Sequence, residues 1–485
     1  MEADCQSQST AVNQVLARVR RALPAALALL AALVLRLGML KHFFEINGDA
    51  LIYGGLAKNL LLHGRYALTV GSGEIYPTLI RLPGYPLFLA FCFRVFGMEN
   101  YASAAWVQIA LELAGCLLLA DFVRRIAPKE LKRGAALATL WLAALCPFTA
   151  IYAAEPLSEA LTLFTIALAL WSLACFHEKP GWGAALWFTA AVSAAALLRP
   201  DGALVGVALA PALAAVVLKN KDAAARTRLS RMALLCLLLA LAPFAVWMGR
   251  NWKVFHVFEP LAPRFATDPG EDTHPGWERW TKTWCLDFVG TYSVYWNVPG
   301  DLLDMNALPS WAFDSPAQYA ETAALAAEYN DHGKELTAKL DAGFARLAAE
   351  REAAHPLRSA VGMPLGRLAD MWLRPRVENL PIDLDWWVYA RHRAETRFSW
   401  AYAGLNALYL LLGLAGLWLR PRFWPCMLAY LVLRSALLLT VEAPEARYSL
   451  ECFPMLFALG GIALWTGWRK VASRRATSGG ASVLV

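Results

Sequence analysis

Charged residues are scarce in this sequence. Asp, Glu, Lys and Arg make up 17% of the 485 residues, against about 25% in ordinary soluble domains. Hydrophobic residues reach 58%, and the mean hydropathy is +0.42. This balance excludes a disordered chain and argues against an ordinary soluble enzyme. Because the apolar residues are gathered into long runs, we expect an integral membrane protein.

Motifs that bind metals or nucleotides are also missing from the sequence. The nine cysteines form neither a CxxC pair nor a disulfide framework, and the eight histidines show no HxH or HExxH spacing, so no zinc site is predicted. A Gly-rich phosphate loop and a G-x-S-x-G motif are both lacking, which argues against a nucleotide-powered pump. The net charge of +7 comes from basic residues between apolar runs, where they set membrane orientation, so nucleic acid is not expected as a partner.

The apolar runs predict an all-α polytopic membrane protein with about ten transmembrane helices, each needing about 20 residues. A shorter run, 84–97, has only about 14 residues, and we expect it to form a helix lying in the membrane interface. The predicted spans are 22–40, 102–122, 135–152, 159–176, 182–198, 202–218, 232–249, 401–419, 423–440 and 450–468.

Basic residues fall in every second connection between these spans. The positive-inside rule then places both termini in the cytoplasm, and the compact loops suit a bacterial inner (plasma) membrane. The basic connections are 124–133, 177–181, 219–231, 420–422 and the tail from 469.

This orientation divides the chain into three predicted regions. Residues 1–250 form an N-terminal transmembrane catalytic region that includes an outer loop, 41–101. Residues 251–400 form an extracytoplasmic domain, and residues 401–485 form the C-terminal transmembrane helices and a cytoplasmic tail.

The 251–400 domain is predicted to be mainly helical. Ser315 and Pro316 supply an N-cap and a first-turn proline, and Ala and Leu follow at helical spacing. Ten tryptophans lie between positions 252 and 400, and an aromatic belt on the bilayer surface is the favoured interpretation. Stacking on a sugar or cradling a lipid tail is the alternative.

The first outer loop contains the most informative acid. Asn47 and Gly48 predict a turn, and Asp49 follows at the head of an amphipathic helix that Gly64 closes. Asp49 could simply cap this helix, or it could be a carboxylate that takes a proton from an acceptor at the membrane surface. Spacing alone does not separate these interpretations.

Further ionisable residues are predicted on the same side of the membrane. Arg81 opens the segment RLPGYPLFLA, where it could meet a phosphate or only snorkel at the interface. Glu155, just before a span, is favoured as a site residue over Glu159, which could serve the helix dipole.

Three arginines complete this set of charges. Arg250 lies at the end of the seventh span. Arg199 is expected to pair mostly with Asp201. Arg447 could bind a ligand, or it could pair with Glu445 or Glu442.

The order of these segments resembles the GT-C fold polyprenyl-phosphate-sugar glycosyltransferases of family 39, which include protein O-mannosyltransferases and bacterial lipid A aminoarabinose transferases. The resemblance covers roughly residues 20–260 and 400–468. It rests on Asp49, Tyr53, Ala57, Asn59, Leu60 and Gly64, and on the segments RLPGYPLFLA, EPLSE, LLRPDG, RNW and EARY.

The resemblance implies a GT-C type bundle with an amphipathic first outer loop and an extracytoplasmic, mainly helical insertion. It implies that Asp49 matches the catalytic acid of the family and that Arg81 matches the basic residue contacting donor phosphate. Many members carry Asp-Glu at this place, whereas Ala50 follows here. A second acid such as Glu155 must then act, or the site uses one carboxylate.

The implied reaction is inverting transfer of a hexosyl or pentosyl group from a polyprenyl-phosphate donor to an acceptor hydroxyl on the extracytoplasmic side. Asp49 would be the general base, Arg81 with Arg447 or Arg250 would meet the phosphate, and Tyr53 would contact substrate. The resemblance implies no definite cofactor, and it leaves open whether the reaction requires a divalent cation.

Two other functions compete with the enzyme. A transporter or flippase of lipid-linked substrates would line a passage with polar residues, and a scaffold would use the 251–400 domain to hold partners. Charges at outer span ends and the lack of half repeats favour the enzyme.

Overall fold

The computed structural model describes residues 2–71 and 73–479, without the side chains of residues 2–19, 21 and 476–479. The last residues of the predicted cytoplasmic tail lie outside the described part. The helices are α1 (Glu2–Phe43), α2 (Asp49–His63), α3 (Gly84–Phe96), α4 (Tyr101–Ile126), α5 (Lys132–Ala144), α6 (Pro147–Ala154), α7 (Glu159–Glu178), α8 (Trp182–Leu198), α9 (Ala203–Leu218), α10 (Ala223–Phe255), α11 (Pro275–Lys282), α12 (Phe288–Ser293), α13 (Pro316–Asp331), α14 (Ala338–Ala354), α15 (Met363–Leu373), α16 (Arg393–Trp418), α17 (Trp424–Leu438) and α18 (Phe453–Gly479).

Seven helices among the described residues are long and apolar enough to cross a membrane, and the bent pair α5 and α6 raises the number to eight. The predicted all-α membrane architecture is confirmed, with fewer full-length spans than ten. The difference lies in α8 and α17, which have 17 and 15 residues. At 1.5 Å per residue they are about 22–26 Å long, which is shorter than the roughly 30 Å hydrocarbon core.

The chain clusters into two compact units. Unit 1 contains the residues up to Ala262, Tyr409–Tyr430 and the residues from Phe453 onward. Unit 2 contains Pro263–Leu408 and Leu431–Cys452. The division into a catalytic membrane region and an extracytoplasmic domain stays a prediction.

The centre of unit 1 is built on α7 and the C-terminal span. In their most apolar windows 78% and 72% of the residues are buried, whereas the corresponding value for α10 is 17%. Helices α4 and α8 pack on α7, and α5 packs on α18. Helix α10 exposes many apolar side chains, as expected for a helix in contact with lipid.

Two glycines bring separate loops onto the end of α8. A Cβ at Gly84 would lie 2.5 Å from the backbone oxygen of Leu197, and one at Gly202 would lie 2.1 Å from that of Ala195. The start of α3 and the 3₁₀ turn Pro200–Gly202 therefore press directly on the backbone of α8. The side chains that flank these glycines are brought to the same helix end.

A small hairpin follows α2. Strands β1 (Ala67–Thr69) and β2 (Ile75–Pro77) pair antiparallel, with Leu68 opposite Tyr76. The side-chain amide of Asn59 donates to the backbone oxygen of Ala67 at 2.9 Å and so fixes the hairpin on α2.

Unit 2 has its own helical core. Ser315 caps α13 as predicted, since its hydroxyl accepts a hydrogen bond from the Gln318 amide at 3.2 Å. The aromatic-belt interpretation is wrong for Trp277, Trp280 and Trp284, which are at most 2% exposed. They lie on the face of α11 and the turn after it that packs on α14, so they form a core and do not meet lipid or sugar.

We expect Gly84→Ala to lower the stability of the protein by about 1–3 kcal/mol, because the new methyl group meets backbone atoms that cannot rotate away. Thermal unfolding in detergent measures the effect. Gly183→Ala is the matched control, since nothing lies within 4 Å of its Cβ position. Equal unfolding temperatures for the two variants would contradict the close packing of α3 on α8.

Candidate active site

Asp49 is the first residue of α2, and its carboxylate faces a cation. Gly48, with φ 45°, occupies the N-cap position, so Asp49 is not the capping residue that the sequence allowed. Its Oδ1 instead lies 2.7 Å from a guanidinium nitrogen of Arg81, and both side chains are about one quarter exposed, at 25% and 24%. Gly64 closes α2 in the left-handed conformation, as predicted.

The backbone around Arg81 is held by Tyr66, which the sequence analysis did not single out. Its hydroxyl donates to the backbone oxygens of Arg81 at 3.0 Å and Leu82 at 3.2 Å. The guanidinium of Arg81 donates to the Asp49 carboxylate at 2.7 Å. Its role toward a phosphate stays a prediction.

A second set of charges lies at the start of α7. Arg199 contacts the carboxylate of Glu159 at 3.1 Å and that of Asp201 at 3.4 Å. The expected pairing of Arg199 with Asp201 is therefore present, but Glu159 shares the guanidinium and is only 2% exposed. Sequence reasoning undervalued Glu159 because its partner is 40 residues away.

Tyr53 lies within electrostatic reach of both sets. Burial raises the pKa of its phenol, and the Asp49 and Glu159 carboxylates raise it further, while Arg81 and Arg199 oppose this shift. The hydroxyl therefore stays protonated near neutral pH and can act as a hydrogen-bond donor.

Arg250 acts on the same region through Tyr66. One guanidinium nitrogen donates to the Tyr66 backbone oxygen at 2.7 Å, and another to the side chain of Asn251 at 3.0 Å. The guanidinium carbon lies 5.2 Å from the ring centroid of Trp247, within cation–π range. Arg250 thus supports the loop that holds Arg81, and its predicted contact with phosphate stays a prediction.

Glu155 follows the last residue of α6, at a break before α7. Its backbone oxygen accepts a hydrogen bond of 2.6 Å from the side-chain amide of Gln108. Ala50 is 2% exposed and packs inside unit 1, where a longer acidic side chain would need more room. The second-acid role of Glu155 stays a prediction, and the structure adds Glu159, which pairs with Arg199, as an acid near Tyr53.

Arg447 belongs to unit 2, where its guanidinium pairs with Glu445 at 2.6 Å. This is one of the two partners that the sequence suggested. The other, Glu442, is approached by Arg264 at 2.9 Å and Lys282 at 3.1 Å. Contact of Arg447 with a donor phosphate stays a prediction.

One group in unit 2 could hold a metal ion. Ligand atoms of Asp383, Asp385 and His392 lie within 4.8 Å of one another. The two carboxylates face different ring nitrogens, Asp383 at 3.2 Å from Nδ1 and Asp385 at 3.0 Å from Nε2. The metal-binding spacings considered in the sequence were those between cysteines and between histidines, so the D-x-D pattern before His392 was missed.

Comparison with known families supports the resemblance. Residues 81–248 match the family model described as dolichyl-phosphate-mannose-protein mannosyltransferase. The matched part includes Arg81, Glu155, Glu159 and Arg199, and it leaves out Asp49, Tyr53 and Arg250. No curated protein sequence matches the chain.

Solved structures with a similar fold include an archaeal oligosaccharyltransferase. The apo oligosaccharyltransferase of Archaeoglobus fulgidus has a TM-score of 0.50 at 13% identity, covering 96% of this chain and 52% of that chain. The same values hold for the archaeal oligosaccharyltransferase AglB from A. fulgidus in complex with an inhibitory peptide and a dolichol-phosphate. This chain therefore spans about half the length of those proteins.

A third structure is ArnT from Cupriavidus metallidurans bound to undecaprenyl phosphate, with a TM-score of 0.39 and 15% identity. It covers 91% of this chain and 77% of that one. The oligosaccharyltransferase structures, at a TM-score of 0.50, show that the chain has the GT-C fold that its sequence predicts, and over residues 81–248 it matches the dolichyl-phosphate-mannose-protein mannosyltransferase family.

Proposed function

We propose that the protein is a membrane glycosyltransferase that moves a sugar from a polyprenyl-phosphate donor to an acceptor hydroxyl on the extracytoplasmic side. The observation that carries the proposal is the Asp49–Arg81 ion pair at the start of α2 and α3. It combines a proton acceptor with a phosphate-binding cation, which are the two groups that such a transfer needs. The AglB structure, which contains dolichol-phosphate, supports this class of donor.

The ion pair suggests how donor binding prepares the base. In the resting state Arg81 donates to Oδ1 of Asp49 and occupies part of its acceptor capacity. The donor phosphate, a diester with one negative charge, offers oxygens that a guanidinium can bind in a bidentate way, and it competes with the carboxylate for Arg81. Arrival of the donor then draws Arg81 toward the phosphate and leaves the Asp49 oxygen available for an acceptor hydroxyl.

The chemical step is a single displacement. The acceptor oxygen attacks the anomeric carbon and gives its proton to Asp49. The bond from that carbon to the phosphate oxygen breaks, and the polyprenyl phosphate leaves with the electron pair. Attack and departure occur on opposite sides of the carbon, so the configuration inverts. Arg81 stabilises the charge that develops on the leaving phosphate.

The other charged groups take supporting roles in this proposal. The Tyr53 hydroxyl donates a hydrogen bond to the substrate, and Glu155 is the candidate second acid. Glu159 and Arg199 form a mostly buried ion pair within electrostatic reach of Tyr53. The transferred group is a hexosyl or a pentosyl unit.

The orientation also belongs to the proposal. Basic connections place both termini in the cytoplasm of a bacterial inner membrane, so α2 and the Asp49–Arg81 pair face outward. Lipid-linked donors lie in the bilayer, and the donor is expected to enter from the side.

One feature of unit 1 favours the competing transporter. Helices α5 and α6 form a span bent by 54°, and discontinuous spans are common in transporters. Transporters usually carry such spans in matching halves, however, and a single bent pair is found among the described residues. Turnover of a labelled donor distinguishes the two functions.

We expect Asp49→Asn to reduce sugar transfer by about 10²- to 10⁴-fold, because an amide cannot take the acceptor proton. Purified protein in nanodiscs with a radiolabelled polyprenyl-phosphate sugar and a membrane extract as acceptor measures the rate. Glu45→Gln is the matched control, since Glu45 is an exposed acid on the same loop. Near-normal transfer by Asp49→Asn would remove Asp49 from the mechanism, and donor binding without turnover by the wild type would favour the transporter.

We further propose that a divalent cation binds at Asp383, Asp385 and His392, whose carboxylates and imidazole suit Mn²⁺. Titration of the purified protein with Mn²⁺ should reveal a saturable site that Asp385→Asn weakens by at least about tenfold. Glu350→Gln changes an exposed acid of unit 2 and should leave binding unchanged. Lack of saturable binding would show that the cluster is a histidine held between carboxylates.

A further inference from the structure

The span formed by α5 and α6 is interrupted at a proline. Helix α5 ends at Ala144 and α6 begins at Pro147. Proline has no amide hydrogen, so the Ala143 oxygen loses the donor that a continuous helix would supply four residues later. In a membrane an unsatisfied backbone group is costly, so the freed carbonyls need other donors.

Arg36 of α1 supplies those donors. It is fully buried and donates to the backbone oxygens of Ala143, at 3.1 Å, and Ala144. It also donates to the oxygen of Ala32 in its own helix at 3.2 Å. The remaining donors go to the carboxylate of Glu112 in α4. All five N–H groups of the guanidinium are therefore used.

Glu112 completes the network on the other side of the break. Its two oxygens accept from Arg36, one of them at 2.7 Å, and the hydroxyl of Thr149 in the first turn of α6 donates to it at 3.2 Å. The cation thus lies at the C-terminal end of α5 and the anion near the N-terminal end of α6. Each charge faces the end of the helix dipole that stabilises it.

The C-terminal end of α6 is also held by α4. Gln108 lies one turn before Glu112 in α4 and is fully buried. Its side-chain amide donates to the backbone oxygens of Ala153 at 3.3 Å and Glu155 at 2.6 Å. Both ends of the eight-residue helix α6 are therefore fixed to α4, and Glu155 follows directly from it.

We propose that Arg36 and Glu112 are positioning residues for the acidic edge of the active site formed by Glu155 and Glu159. The pair fixes the broken span, and the broken span fixes α6. Glu155 follows α6 directly, and Glu159, four residues further on, contacts Arg199 at 3.1 Å. The pair touches neither substrate nor reacting atoms. This inference rests on the proposed transfer reaction for its activity readout, and its structural readout is independent of that reaction.

The variant that tests the inference is Arg36→Leu/Glu112→Leu. Single substitutions leave an unpaired buried charge and risk a misfolded protein. Removal of both charges avoids this, although the Ala143 and Ala144 oxygens lose their donor and the unfolding temperature is expected to fall. We expect the amide hydrogens of α6 to exchange at least about tenfold faster, because α6 loses the contact at its N-terminal end, while those of α7, which the pair does not touch, keep their protection. Hydrogen exchange with mass spectrometry measures this in nanodiscs, and unchanged exchange in α6 would overturn the proposal.

The rate of sugar transfer separates a positioning role of the Arg36–Glu112 pair from a role that is limited to binding the free backbone oxygens. We expect kcat to fall at least about tenfold with little change in KM for the donor, since the Asp49–Arg81 pair is left intact. Adding Pro147→Ala restores the missing amide donor and lets the span straighten. Transfer should stay low in this triple variant even when its unfolding temperature recovers. Recovery of transfer together with stability would overturn the positioning role.

A control pair shows that the effect is local. Lys58 and Glu99 form an exposed ion pair of 3.0 Å in the same unit. Lys58→Met/Glu99→Gln should change neither the exchange of α6 nor kcat. If wild-type protein transfers no sugar, the proposed function fails while the exchange result still decides whether the pair anchors α6. Faster exchange in α6 with normal transfer would keep the anchor and overturn its link to the site.

Discussion

Lipid provides no hydrogen-bond partners, and this constraint governs the whole structure. Backbone groups in the spans must be satisfied within helices, so the chain is helical and its described sheet is limited to one small hairpin. Where a span breaks, as it does before Pro147, a buried side chain replaces the lost donor. Charges that are not needed inside the spans collect near helix ends, and this is where the candidate site is found.

Periodicity and hydropathy predicted the long elements well. The broken span and the short α8 and α17 were read as ordinary spans, because a window of apolar residues does not report where hydrogen bonds stop. The tryptophans of α11 were assigned to the bilayer surface, since composition does not distinguish a small buried core from an interface. Sequence spacing also cannot reveal that Tyr66, which lies between Asp49 and Arg81 in the sequence, holds the backbone of Arg81.

Site residues were predictable where local sequence sets their place. Asp49 at a turn and Arg81 before a proline follow from adjacent residues, and the structure brings them together across 32 positions. The pairs that connect distant helices were missed because their partners lie far apart in the sequence. Arg36 was counted as part of an apolar run although a charge inside a span marks a functional or structural site by default. In our proposal the buried Arg36–Glu112 pair shapes the site, and the partly exposed Asp49–Arg81 pair carries out the chemistry.

Competition between Asp49 and phosphate for Arg81 is the central claim, and binding of undecaprenyl phosphate without sugar tests it directly. Binding to wild type, Asp49→Asn and Arg81→Ala can be compared in nanodiscs. The account predicts that Asp49→Asn binds the lipid up to about fivefold more tightly, because Arg81 loses its competing carboxylate, while Arg81→Ala binds it more weakly. Weaker or unchanged binding by Asp49→Asn, or unchanged binding by Arg81→Ala, would contradict the account.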